Sequence, residues 1–214
     1  IKTNDILPLF DKMGEIQSIE GIKEGVENTN YLITLKSQKK FIFTIFEKRT
    51  KGSDLPFFNN AMLEFNQSGI NCPSAVIINN KSIFEIQNKP CAIYSFIEGK
   101  QVSQPNKENL GSLADTISKM HEIGLKSNLR RPNDMLIPTW KYIIKKFEGY
   151  QGQHKAELKD VIKLINETYD KFTIELRTAL IHADLFKDNI FFKDNKISGL
   201  IDFFFTCSDS IVYD

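Results

Sequence analysis

The chain has 214 residues, with 28 Lys and Arg against 27 Asp and Glu, a formal net charge of +1. That balance supplies no basic field for wholesale nucleic-acid binding. No apolar run approaches the roughly 20 residues of a membrane span, and no signal-peptide pattern opens the sequence. Hydrophobic residues make up 41%, with 17 Phe, enough for the core of one large domain or two small lobes. Cys72, Cys91 and Cys207 are scattered and odd in number. This argues against a disulfide framework or a structural zinc and favours a reducing, cytoplasmic setting. The sequence begins at Ile1 without Met and stops at Asp214 just after an apolar run, the pattern expected of a fragment.

In chain order, Ile16–Ile22 is a short, partly alternating run, followed by a polar loop from Lys23 to Thr29. Residues 30–35 and 41–46 are β-rich and flank Ser37-Gln38-Lys39, a hairpin signal. A helix is predicted over 56–68. Phe57, Phe58, Ala61, Met62 and Phe65 recur at helical spacing, Pro56 suits the first turn and Gly69 the stop. Strands are predicted at 74–78, 82–86 and 91–97, giving the order β-β-β-α-β-β-β. Past Gly99 the pattern turns helical. Asn106 can cap a helix with apolar Leu110, Leu113, Ala114, Ile117 and Met120. Trp140, Ile143, Ile144 and Phe147 mark a second helix, and Leu158, Val161, Ile162, Ile165, Tyr169 and Phe172 a third. These amphipathic stripes read as core faces. Residues 124–138 form a loop, and short strands return at 179–181, 190–192 and 197–201. The expected fold class is α+β and bilobal. Residues 1–98 form a small β-rich lobe, an antiparallel sheet with one helix, and residues 99–214 a mainly helical lobe.

The chemistry is concentrated in His182-Ala183-Asp184-Leu185-Phe186-Lys187-Asp188-Asn189 and in Gly199-Leu200-Ile201-Asp202-Phe203. Short apolar strands frame a loop that offers a carboxylate, Asp184, and a carboxamide five residues later, Asn189. A second carboxylate, Asp202, follows the next apolar strand. Phosphoryl transfer needs a carboxylate to orient an acceptor hydroxyl and accept its proton. It also needs one or two hard oxygen ligands for Mg²⁺, with phosphates and water completing the shell. The order and spacing match a kinase catalytic loop followed by a metal-binding Asp. Turn-forming Asp and Asn are common in hairpins, but the joint pattern is far more specific than one loop Asp. His182 reads as a structural residue of the loop, and His121 and His154 as ordinary helix residues. Glu27, Asn28, Thr29 and Asn30, ahead of the first hairpin, stand where backbone N–H groups and short amides can meet phosphate oxygens. The third strand carries Thr44 where a kinase has its phosphate-pairing Lys. Lys187 is therefore the expected phosphate-facing cation, with Lys48 and Arg49 as alternatives.

A resemblance is carried by several segments together. They are Gly21-Ile22 with Gly25-Val26-Glu27-Asn28-Thr29-Asn30-Tyr31; Asp54-Leu55-Pro56-Phe57-Phe58; Gln104-Pro105-Asn106; the His182 to Asn189 loop; and Gly199 to Phe203 continuing through Cys207 to Tyr213-Asp214. They resemble the bacterial homoserine kinases of the aminoglycoside-phosphotransferase and choline-kinase fold, nearly end to end. The resemblance implies a protein-kinase-like fold, ATP and Mg²⁺ as cofactors and L-homoserine as the small-molecule partner. It also implies Asp184 as base, Asn189 and Asp202 as Mg²⁺ ligands, and Ser95, Phe96 and Ile97 as the hinge that meets adenine. It gives Asp214 a role in steadying the catalytic loop. Members of that family are longer at the C-terminus. Phe204 departs from the wider kinase pattern, which has Gly there. An aminoglycoside or choline-like acceptor is the near alternative, and a nucleotide-binding pseudokinase the distant one.

Overall fold

The computed structural model describes residues 3–23, 27–147, 149, 151–168 and 176–214. The small lobe contains α1 (Thr3–Phe10), β1 (Ile16–Ile22), β2 (Asn28–Leu35), β3 (Lys40–Phe46), α2 (Leu55–Gln67), β4 (Phe84–Ile86) and β5 (Lys89–Ser95). Its five strands form one antiparallel sheet in the order β1-β2-β3-β5-β4. Side chains alternate between the two faces. Ile33, Leu35, Phe43, Ile45, Cys91 and Ile93 pack with Ile6 and Phe10 of α1 on one face. Phe46, Ala92 and Tyr94 pack on the other against Leu55, Phe58, Ala61, Met62 and Phe65 of α2.

Two differences from the sequence expectation arise here. The sheet has a second helix, α1, whose interior Pro8 hides an eight-residue segment from pattern reading. The strand expected at 74–78 is instead a chain of isolated contacts. Ala75 makes one bridge to Tyr94, and Ile78 one to Lys81. The edge of β5 is already taken from Lys89 to Cys91 by β4, which leaves the 74–78 segment only single bonds farther along.

The large lobe contains α3 (Lys107–Lys126), α4 (Ile137–Lys145), α5 (Lys155–Thr168), β6 (Thr178–Ile181), β7 (Ile190–Lys193), β8 (Lys196–Leu200) and β9 (Cys207–Ser210). Asn106 opens α3 with a reciprocal capping box to Asn109, satisfying two orphan helix donors. The strands make two antiparallel ribbons, β6 with β9 and β7 with β8. The stripe expected on α3 is narrower than drawn. Met120 and Gly124 are buried, whereas Leu110 is exposed. Trp140, Ile143 and Val161 on α4 and α5 are also partly open to solvent. Tyr169 and Phe172 lie outside the described residues. No described helix is long and apolar enough to cross a membrane.

One core passes through both lobes. It joins Phe46, Phe58, Met62, Phe65 and Tyr94 to Met120, Leu180, Leu200, Phe203 and Phe204. Polar ties reinforce the junction: Lys100 and Phe192 exchange backbone hydrogen bonds, and the Leu200 N–H donates to the Asn71 carbonyl.

Candidate active site

β6 delivers its buried residues straight into the polar loop. His182 is fully buried, and its ring lies 4.3 Å from that of Phe203. Its Nδ1 accepts the Asp184 N–H at 3.2 Å, and its Nε2 lies 2.9 Å from the Ile201 carbonyl. Those partners require a neutral imidazole protonated on Nε2. Burial favours the same form and lowers its pKa to about 4, against the pull of Asp214. The backbone at Ala183 then turns into the left-handed region, at φ 65°. A clamp holds this turn: the Asp214 carboxylate accepts the N–H groups of His182 at 3.1 Å and Ala183 at 2.6 Å. The Asp214 side chain is fully buried, and His121 Nε2 lies 3.1 Å from its Oδ2. His121, read as an ordinary helix residue, is thus the tie between α3 and the loop.

Beyond the turn, the Asn189 amide donates to the Asp184 backbone oxygen at 2.8 Å and to its carboxylate at 2.9 Å. With its N–H groups spent on Asp184, Asn189 keeps its Oδ1 as an acceptor. Burial, and then the neighbouring Asp202, raise the Asp184 pKa to about 6; the Asn189 hydrogen bond and Arg49 oppose this. Asp202 follows β8 in a left-handed conformation, φ 63°. Its carboxylate is open to the cleft but crowded by protein on other sides, and this burial raises its pKa against Arg49 and the Phe204 N–H.

Of these groups, Asn189 and Asp202 line a cavity of about 400 Å³ between the lobes. Asn28, Asn30, Thr44, Asn189 and Asp202 line its polar side; Ile22, Ile42, Phe191 and Ile201 supply apolar wall; Ser95, Phe96 and Ile97 lie along it as well. Strand parity explains the selection. Asn28 and Asn30 share the cleft face of β2, and Thr44 sits directly opposite Asn30 on β3. Thr29 belongs to the other face, where its hydroxyl donates to Glu47. Of the four residues expected at the phosphates, Asn28 and Asn30 therefore line the cavity. Glu27 instead pairs with Arg49, and Gly25 and Val26 lie outside the described residues. Lys187 is exposed on a single 3₁₀ turn and is not among the lining residues. Asp184 reaches the cavity through Asn189. Gln101, unmarked in the sequence, lines it and donates to the Asp188 carbonyl.

The donor set suits a hard divalent cation. Asn189 Oδ1 and the Asp202 carboxylate are oxygens of residues that line the cavity and could serve as ligands, and Asn28 Oδ1 is a buried acceptor with no donor among the described residues. Among the described residues no three His, Cys, Asp or Glu gather into a metal cage. A site that takes one or two protein oxygens and completes its shell with phosphate and water does not require such a cage.

The comparisons agree with this geometry. The family model described as "Phosphotransferase enzyme family" matches residues 18–214. The homoserine kinase of Bartonella tribocorum is 36% identical over all of this chain and 68% of its own length. That of Rhizobium meliloti is 35% identical over 95% of this chain and 63% of its own length. The chain thus spans about two thirds of the curated relatives it matches. Among solved structures, an amicoumacin kinase superposes with a TM-score of 0.78 at 16% identity, over 99% of this chain and 66% of that one. A spectinomycin phosphotransferase gives 0.74 at 14% identity, over 100% of this chain and 72% of that one. These two establish the fold, which is protein-kinase-like and α+β. The match along residues 18–214 and the identity across the whole chain lead to one conclusion: this chain belongs to the phosphotransferase enzyme family.

Proposed function

We propose that the protein is an ATP- and Mg²⁺-dependent homoserine kinase that converts L-homoserine to O-phospho-L-homoserine, a step of threonine biosynthesis. The observation that carries this reading is that Asn189 and Asp202 line the inter-lobe cavity together with residues 95–97, while Asn189 is hydrogen-bonded to the Asp184 carboxylate. The identity to curated homoserine kinases supports the choice of acceptor. In this reading Ser95, Phe96 and Ile97 receive the adenine, and Asn28 and Asn30 face the phosphates. Asp184 accepts the proton of the acceptor hydroxyl as its oxygen attacks the γ-phosphorus. The bond from that phosphorus to the bridging oxygen breaks, and ADP leaves. Burial raises the Asp184 carboxyl above the usual carboxylate range, the direction that makes it a better proton acceptor. Asn189 and Asp202 would hold Mg²⁺, whose charge neutralises the transferring phosphoryl group. Three unpaired, buried thiols suit a reducing cytoplasm.

The test is ADP release over a panel of L-homoserine, choline, ethanolamine, methylthioribose and kanamycin. The reading expects L-homoserine to give the highest kcat/KM. A better kcat/KM with another alcohol would move the enzyme to another branch of the family. Nucleotide binding without turnover of any acceptor would leave a nucleotide-binding module.

A further inference from the structure

ATP brings several negative charges into the cleft, and one Mg²⁺ cancels only two of them, so a further cation must face the phosphates. The third strand does not provide it. Thr44 is 3% exposed, and its hydroxyl is spent on the Asn30 amide oxygen at 2.8 Å. Arg49, three residues past β3, does not line the cavity either, but unlike Lys187 it is held against the segment that follows Asp202. Its guanidinium lies 3.4 Å from the ring centroid of Phe205 and donates to the Phe204 carbonyl at 3.3 and 3.4 Å. Both partners lie within three residues of Asp202. Its charge acts on Asp184 and Asp202 alike. The remaining face of the fork, through Nε, is paired with Glu27. The two side chains are 30% and 41% exposed, and so accessible a pair is weak. A phosphate, bearing more charge and more acceptor oxygens than a carboxylate, outcompetes Glu27 for that fork.

We propose that Arg49 is the phosphate-contacting cation of this site, replacing a third-strand lysine, and that Glu27 occupies the phosphate's place on its guanidinium until nucleotide arrives. The proposal rests on the nucleotide-dependent reading above and adds to it a residue and an exchange. Ring stacking and the two bonds to Phe204 fix the guanidinium plane, so the arriving phosphate meets a pre-oriented donor. A lysine has no planar fork to be held in this way.

Calorimetric titration of ATP, ADP and adenosine with Mg²⁺ present tests the exchange in wild type, Arg49→Ala, Arg49→Lys and Glu27→Gln. Arg49→Ala should weaken ATP binding about tenfold or more and leave adenosine unchanged. Arg49→Lys should recover only part of the loss. Glu27→Gln should bind ATP more tightly than wild type, because the competitor is gone, and it decides the matter if Arg49→Ala fails to fold. Equal losses for ATP and adenosine, or Glu27→Gln weakening ATP as Arg49→Ala does, would overturn the exchange. Wild type that binds no nucleotide overturns the kinase reading itself. ATP binding that ignores Arg49 overturns only this inference.

Discussion

At Asp184, replacement by Asn keeps the oxygen that accepts from Asn189 and removes the ability to take a proton. Asp184→Asn should therefore lose roughly 10²- to 10⁴-fold in kcat while still binding ATP. Parallel titration and turnover assays check this, and more than half of the wild-type kcat would remove Asp184 from the mechanism. His182 makes a separate prediction, about stability. Unfolded, its imidazole protonates near 6.5; buried, only near 4. Between those values the unfolded chain binds more protons. Stability is complete above pH 6.5 and is lost as pH falls toward 4, by on the order of 3 kcal/mol. His182→Gln should flatten the slope of Tm between pH 6.5 and 4, and an unchanged slope would place that proton uptake elsewhere. At this scale the grouping of the candidate residues was legible wherever they lie close in sequence. Asp184, Asn189 and Asp202 fall within one loop and the hairpin after it, so spacing reports their geometry. Arg49 was legible only as one of two alternatives to Lys187, Asp214 only through the resemblance, and His121 was not legible as a partner of the loop. Each meets its partners only through tertiary folding, and a single Arg or His carries no spacing to read.

Elements were legible where their periodicity was long and uninterrupted, as in α2, α3 and the β2–β3 hairpin. They were not where a short segment relied on its neighbours: α1 depends on the sheet face that buries Ile6 and Phe10, and β9 exists because β6 pairs with it. Two glycines of α3 show how much a neighbour decides. A Cβ on Gly111 would meet nothing within 4 Å, whereas one on Gly124 would come within 2.0 Å of the Leu180 backbone oxygen. Gly111→Ala should stabilise the protein by about 0.5–1 kcal/mol through helix propensity and reduced unfolded-state freedom. Gly124→Ala should destabilise it by about 1–3 kcal/mol, since α3 must move off β6 to make room. Urea denaturation of the two variants checks the opposite signs; a shift in the same direction would mean that α3 is not pressed on β6 as described.

The boundary expected near residue 99 falls between the five-stranded sheet and the helices that follow it, yet the main core crosses it. Phe203 illustrates the crossing. It follows Asp202 in the large lobe, is fully buried, and packs its ring 5.8 Å from that of Phe65 in α2. Phe203→Ala should cost about 3–5 kcal/mol. The loss should appear as reduced hydrogen-exchange protection in β3 and β5 as well as in β6, because the lobes open together. Protection lost in the large lobe alone would show two independently stable units.

That common core limits how the molecule can be recombined. A family that varies its acceptor invites grafting one member's helical half onto another's sheet between β5 and α3. In this chain such a seam would divide a set of interlocking rings: Phe204 stands edge-on to Phe46, Phe58 and Tyr94, at 4.9, 5.9 and 5.7 Å. A foreign half would bring its own residue to that socket, leaving either a void or a clash beside Asp202. Chimeras that carry residues 200–206 with the sheet, rather than with the helices, keep the rings matched.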